Sequence, residues 1–365
     1  MSIEQSVLAM GAGKATAMHA GVWSDLGWHV SAHDVNPARL EESAMQEDFR
    51  RQFDLGNVAV LHSLAGLSLA QTPPVFDIAT SSGSHTAALE QALDATSEAP
   101  RAVLIEKPLD AFDSLRSLLQ GELDESKVFV NENYNASAAV THMLALVAQE
   151  KAAGNNVRKI FVNFDKNRIP DVVQAGRFTD KELGAYGIEM PHMLAVATNL
   201  AGTTPQERPK IQTNRYGVHV DGIDNNEYTY TRLQTADGTD IILAQGLGPF
   251  RMDEQGRRTP YEFQKGEAIR TATVTFDDGR KATATFAPVP DLPKFHSRVE
   301  WSDRNGDPQS RVFEDNTLRR VIELTATCAL TGERPALTES LSVEAGLAYA
   351  FLLHHLHGTS DWRTD

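Results

Sequence analysis

Ser6-Val7-Leu8-Ala9-Met10-Gly11-Ala12-Gly13-Lys14-Ala15-Thr16 joins a short apolar run to two closely spaced glycines and then to an alanine-rich, helix-compatible stretch. Strand, glycine turn and helix, in that order, is the context in which a Gly-x-Gly pair has meaning. Gly11 permits a tight turn, and Gly13 lets backbone come close to an anionic group. The N-terminus of the following helix then offers N–H groups to that charge, as in turns that hold a pyrophosphate. Lys14, Ala15 and Thr16 complete the candidate cofactor-binding turn. Thr16 stands where Gly or Ala is usual, so the turn alone also reads as an ordinary strand–helix junction.

The downstream sequence extends the pattern. Residues 28–33 read as a second strand ending at Asp34, which lies 23 residues after Gly11. That is close to the ~20-residue spacing at which an acidic side chain reaches the ribose hydroxyls of a dinucleotide. Asp34 would accept hydrogen bonds from them and repel a 2′-phosphate. The next residues are Val35, Asn36 and Pro37, with no arginine directly after the acid, so the expected cofactor is NAD, with NADP less favoured. A turn-initiating Asp before Asn-Pro is the alternative.

Further strands are expected at 58–61, 75–80, 102–105 and 127–130. The fourth strand delivers Thr80 and Ser81, then a loop in which Ser84 suits an N-cap and His85 enters the first helical turn. A solvated first-turn histidine is the other reading of His85. The fifth strand, Ala102-Val103-Leu104-Ile105, ends in Glu106-Lys107-Pro108. A charged pair straight after a buried-type strand is poorly explained by packing. The sixth ends in Asn131-Glu132-Asn133-Tyr134. Strands alternating with helical segments predict a doubly wound parallel sheet, whose carboxyl edge binds ligands. Lys107 is therefore the first place to look for chemistry.

A chain of 365 residues is long for one core, so two domains are expected. The 34 basic and 49 acidic side chains leave a net charge of −15, which argues against nucleic acid or an anionic membrane as partner. An anionic small substrate held by local cations stays possible. The single cysteine, Cys328, cannot form an internal disulfide and reads as a buried structural thiol. The first residues carry no signal-peptide pattern, and no apolar run approaches the ~20 residues of a membrane span, so a cytoplasmic location is expected. His354, His355 and His357 fall at the end of a helix expected to stop at Gly358, and read as structural; no metal is expected.

The later sequence is richer in strands. Candidates are 158–164, 226–233, 240–244 and 272–276, with Asp237-Gly238 and Asp278-Gly279 as hairpin turns. The charged, proline-containing stretch 251–264 reads as a surface loop.

Together these features resemble the Gfo/Idh/MocA oxidoreductases, named for glucose-fructose oxidoreductase, inositol dehydrogenase and a rhizopine-catabolism protein. The resemblance rests on the glycine turn, Asp77 to His85, Glu106-Lys107-Pro108, Pro191-His192 with the helix after it, and the closing run 342–348. It implies a Rossmann domain at 1–131 and a substrate-binding and oligomerisation domain at 132–365, the latter an open, mostly antiparallel sheet with helices on one face. It implies hydride transfer between nicotinamide and a C–OH or C=O carbon of a sugar, cyclitol or related metabolite, in a homodimer or homotetramer. Lys107 would hydrogen-bond the reacting oxygen, and His192 would be the general base or acid. Pro191 suits a first helical turn, and a His there feels the positive end of the dipole, which favours neutral imidazole; a capping or core His is the alternative. Glu106 and Asn133 would line the cofactor, and Tyr134 the substrate. Lys166, Asn167, Arg168 and Arg177 are candidate anchors for a carboxylate or polyol, or solvated surface charge.

One position departs from the family pattern. An Asp is usual four residues before the His, and Ile188 stands there. Glu189 or Tyr186 could take over. This leaves room for an imine or keto reductase, or for a dinucleotide-binding regulator without turnover.

Overall fold

The computed structural model describes residues 5–66, 73–81, 83–96, 98–109, 115, 117–118, 123–167, 183, 185–202, 210–216, 228–264, 267–335, 339–359 and 361–363. The chain divides into two compact units, Met1–Asn133 with Leu318–Leu347, and Tyr134–Thr317 with Ala348–Asp365.

In the first unit, β1 (Ser6–Met10), β2 (His29–His33), β3 (Ala59–Val60), β4 (Val75–Ile78), β5 (Ala102–Ile105) and β6 (Val128–Val130) form one sheet. All pairings are parallel, in the order β3-β2-β1-β4-β5-β6. Strands β4 and β5 are buried along their whole length, as parallel strands covered on both faces must be. The helices α1 (Lys14–Asp25), α2 (Glu47–Asp54) and α3 (His85–Asp94) lie in the strand connections. This is the expected doubly wound arrangement. Strand order reverses between β1 and β4, which makes their carboxyl ends the switch point where such folds bind ligands. The expected third strand, 58–61, narrows to two residues because it is an edge strand paired only with Ser31 and Ala32.

The second unit is built on a nine-stranded sheet: β7 (Val157–Asp165), β8 (Lys210–Tyr216), β9 (Tyr228–Gln234), β10 (Asp240–Gly246), β13 (Ile269–Phe276), β14 (Lys281–Thr285), β15 (His296–Ser302), β16 (Pro308–Glu314) and β17 (Asp361–Arg363). The order is β16-β15-β14-β13-β7-β10-β9-β8-β17, antiparallel except for the β7–β10 and β8–β17 pairs. Gly238 and Gly279 take the positive φ that their Asp-Gly hairpin turns require. Helices α4 (Ala138–Ala152) and α5 (Met190–Ala201) pack on this sheet.

The stretch 251–264 is not simply a loop. It contains most of a hairpin, β11 (Phe250–Met252) with β12 (Arg258–Pro260). Asp253 closes its turn by accepting the N–H groups of Gln255 and Arg257, both at 2.9 Å. Phe250 and Met252 bury themselves against Phe161, Tyr228, Ile242 and Ala244 of the sheet. Two apolar anchors among charges were too sparse to read as a strand.

The last helices are α6 (Thr317–Thr331), which buries Cys328, and α7 (Val343–Thr359). Helix α7 runs through Gly358 instead of stopping there, and the chain then enters β17. Gly346 is required by packing: a Cβ there would lie 2.8 Å from Val130 and 3.0 Å from Leu109. No helix among the described residues is long and apolar enough to cross a membrane.

Candidate active site

The glycine turn sits at the switch point. Gly11 has φ +114°, and its N–H donates to the His33 carbonyl at 2.7 Å. A Cβ on Gly11 would lie 2.8 Å from the Ala79 carbonyl oxygen, so no larger residue fits. At Gly13 the opposite holds: nothing lies within 4 Å of where a Cβ would be. Gly13 precedes α1, and no side chain caps that helix. Open space beside an uncapped helix start fits a phosphate group. Thr16 has its own explanation, because its buried hydroxyl donates to the Gly11 carbonyl at 3.0 Å and ties the turn together. Ala15 is half-buried beside it, while Lys14 pairs with Asp48 at 3.2 Å.

Asp34 is buried at the end of β2. One carboxylate oxygen accepts the Ala12 N–H at 2.9 Å, the other the Asn36 N–H at 2.9 Å. The carboxylate is thus fixed against the glycine turn. Sequence adjacency hid one neighbour: a short 3₁₀ turn, Pro37–Leu40, brings the exposed Arg39 guanidinium to 3.6 Å from Asp34.

At the same sheet edge, Ser84 occupies the N-cap position of α3, but its hydroxyl donates to the Ser81 carbonyl at 2.7 Å and caps nothing. His85 is buried, not solvated, with Nε2 3.2 Å from the Thr80 carbonyl. Beyond β5, the Lys107 N–H donates to Glu106 Oε2 at 3.2 Å.

Behind Glu106 lies a buried network that sequence reading missed. His19 Nε2 is 3.0 Å from Glu106 Oε1, and His19 Nδ1 is 2.9 Å from Asp77 Oδ1. Trp23 Nε1 donates to Asp77 Oδ2 at 2.7 Å, and the Asn131 amide donates to Glu106 Oε1. Burial alone would lower the pKa of His19, but Asp77 and Glu106 outweigh it and raise it to about 10. Glu106 is held at about 2, against its own burial, by His19, Lys107 and Asn131. The available signal was Asp77 itself, a charge in the middle of Val75-Phe76-Asp77-Ile78, a strand that is otherwise apolar and wholly buried.

The second unit gathers a different group. Glu189 precedes α5, Pro191 lies in its first turn, and His192 follows, as expected. The Tyr134 ring packs against His192 and Phe164, each at 5.1 Å, and against Phe286 at 5.2 Å. Glu189 faces a partner the sequence did not suggest: Arg270 Nη2 lies 3.4 Å from its Oε1. Arg270 also donates to the Ala287 carbonyl at 3.2 Å, and its charge lies 6.0 Å from the Phe164 ring centroid. Burial disfavours the Arg270 cation, yet Tyr134 and Glu189 hold its pKa above the usual arginine range. Arg270 was illegible because β13 alternates polar and apolar residues in the ordinary way.

Among the other candidates, Tyr186 is fully buried and Ile188 half-buried. Asn133 opens a 3₁₀ turn, Asn133–Ala136. Lys166 and Asn167 directly follow β7, where the Lys166 N–H donates to Gly246 at 2.9 Å. Arg168 and Arg177 lie outside the described residues. His354 and His355 are exposed on α7, and the described residues contain no group of three or more His, Cys, Asp or Glu able to hold a metal.

No protein-family model and no curated protein matches the sequence. Solved structures do match the fold. A Desulfitobacterium hafniense protein inferred to be an NADPH-dependent oxidoreductase superposes with a TM-score of 0.70 at 15% identity, over 99% of this chain and 96% of that one. UDP-N-acetylglucosamine 3-dehydrogenase from Acidithiobacillus ferrooxidans gives 0.64 at 17% identity, over 95% of each chain. A myo-inositol dehydrogenase from Corynebacterium glutamicum gives 0.63 at 14% identity, over 97% and 96%. The two-domain fold implied by the family resemblance is therefore the fold of this chain.

Proposed function

We propose that this chain is a nicotinamide-nucleotide-dependent oxidoreductase. It moves a hydride between nicotinamide and the C–OH or C=O carbon of a sugar, cyclitol or related hydroxylated small molecule. The observation that carries the reading is one sheet edge. It holds the glycine turn with open space at Gly13, the fixed Asp34 carboxylate, and Glu106-Lys107 two strands away. The substrates named for the similar structures, a UDP-sugar and myo-inositol, agree with the substrate class.

In this reading Gly11, Gly13, Lys14, Ala15 and Thr16 hold the pyrophosphate, and Asp34 binds the adenosine ribose. Thr80, Ser81, His85, Glu106 and Asn133 line the rest of the cofactor. Bound nicotinamide supplies the hydride acceptor or donor. Lys107 donates a hydrogen bond to the reacting oxygen and stabilises its developing negative charge. His192 takes the hydroxyl proton in oxidation and returns it in reduction, with Tyr134 packed on its ring. Glu189, which faces Arg270, or the buried Tyr186 would take the place of the family's usual Asp. With Ile188 at that place, a keto or imine reductase is the second reading. NAD is the expected cofactor, because a 2′-phosphate would meet the Asp34 charge. Arg39 is the residue that could soften that choice. Assembly into a homodimer or homotetramer completes the reading, and light scattering measures it.

Fluorescence titration with NADH and NADPH tests the core of this proposal. Binding of neither nucleotide would sink it. A turnover screen on sugars, cyclitols and their keto forms follows, wild type against Lys107→Ala. An active enzyme indifferent to that change refutes the role given to Lys107.

A further inference from the structure

Three ionisable side chains lie almost wholly inside the first unit, on three different elements: His19 on α1, Asp77 on β4 and Glu106 at the end of β5. Burying ions costs several kcal/mol each, and apolar residues of similar shape often serve stability equally well. Stability alone is therefore a poor reason for this cluster. Its geometry has a direction. Asp77 takes one ring nitrogen of His19 and the Trp23 N–H; the other ring nitrogen meets Glu106 Oε1; and Glu106 Oε2 receives the Lys107 backbone N–H. The chain of contacts leads from the interior to the backbone of Lys107, whose side-chain charge also acts on Glu106.

We propose that His19 is a positioning residue for Lys107: a cationic imidazole, clamped by Asp77, that fixes and neutralises the Glu106 carboxylate so that the Lys107 ammonium is presented to substrate and not captured by Glu106. The proposal rests on the oxidoreductase reading of Lys107. The charged groups facing Glu106 are His19 from α1 and Lys107 beside it, with the Asn131 amide after β6. Asp77 and Glu106 are the two acids facing His19. Removing the imidazolium leaves Lys107 as the cation acting on Glu106 among the described residues. A side chain caught in an ion pair is a poorer donor to a developing oxyanion, so kcat falls. Asp34 and the glycine turn are untouched, so nucleotide affinity stays.

The test uses His19→Gln, Glu106→Gln and the double variant, with Asp77→Asn as a milder route should His19→Gln fold poorly. With the best substrate from the screen, His19→Gln is expected to lower kcat about tenfold or more while the NADH Kd stays within about twofold. The double variant is expected to be no slower than Glu106→Gln alone, because the carboxylate that captures Lys107 is gone. An unchanged kcat in His19→Gln, or losses that simply multiply in the double variant, overturns the proposal. A second arm needs no substrate. In wild-type protein carrying ¹⁵N-histidine, His19 should be protonated on both ring nitrogens at about pH 8, above the ordinary imidazole range. A neutral ring overturns the proposal even where the enzyme is active. Absence of turnover by the wild type, with a doubly protonated His19, counts instead against the oxidoreductase reading.

Discussion

Gly11 combines two constraints that substitution cannot meet together: a positive φ, and a carbonyl 2.8 Å from any added Cβ. Gly11→Ala is expected to cost about 1–3 kcal/mol of stability and to abolish NADH binding, read by thermal unfolding and titration. His19 and Glu106 set a pH window. The His19 contribution is full below the ordinary value of 6.5 and is lost as pH rises through about 10. The Glu106 contribution is full above 4.5 and is lost as pH falls through about 2. Wild-type thermal midpoints should therefore decline on the alkaline side more steeply than those of His19→Gln. In the second unit, Arg270→Leu removes the cation that faces the buried Glu189 carboxylate. A loss of about 3–5 kcal/mol is expected, with partial recovery in Arg270→Leu/Glu189→Gln. At this scale the positions of Gly11, Asp34 and Lys107 at strand ends were legible in the sequence, because each closely follows a run that reads as a strand. The sequence could not reveal His19 with Glu106, or Glu189 with Arg270, since each pair is joined only by tertiary packing.

Strands and helices were legible wherever apolar periodicity was strong, as in β4, β5 and α5. They were illegible where burial rests on two residues, as in the β11–β12 hairpin. That hairpin is fastened to β7 at its end. Asp165 accepts the Met252 N–H at 3.0 Å, and the Asn163 amide donates to the Met252 carbonyl at 2.6 Å. Burial raises the Asp165 carboxyl to about 7, against the Met252 N–H and Asn163, and its Oδ1 has no hydrogen-bond partner among the described residues. An acid whose folded pKa is raised holds more protons when folded, so its ionisation destabilises the fold as pH climbs from 3.8 to about 7. Asp165→Asn keeps an acceptor for Met252 and removes that charge. It should raise the thermal midpoint by a few degrees above neutrality, by less as pH falls towards 3.8, and change little below that. A uniform shift at all pH values would point to packing instead.

At the scale of the whole molecule, the comparison with solved structures and the element order agree on two units, yet only the parallel sheet of the first was readable strand by strand. The second sheet depends on register between distant segments, such as β7 pairing with both β10 and β13. Nucleotide binding should stabilise the first unit selectively. At about 100 times its Kd, NADH is worth about 2.7 kcal/mol, expected as slower hydrogen exchange in peptides from β1, β4, β5 and α6. Protection confined to the second unit would contradict the binding site. Sequence continuity and structural continuity part company here, because residues Leu318–Leu347 return to the unit that begins the chain. A ribosome adds roughly 5–20 residues per second, so Val130 and Leu109 wait many seconds for Gly346 to be made. The first unit is therefore completed only after Tyr134–Thr317, which interrupts it, has been synthesised, so its maturation lags the making of its own parallel sheet.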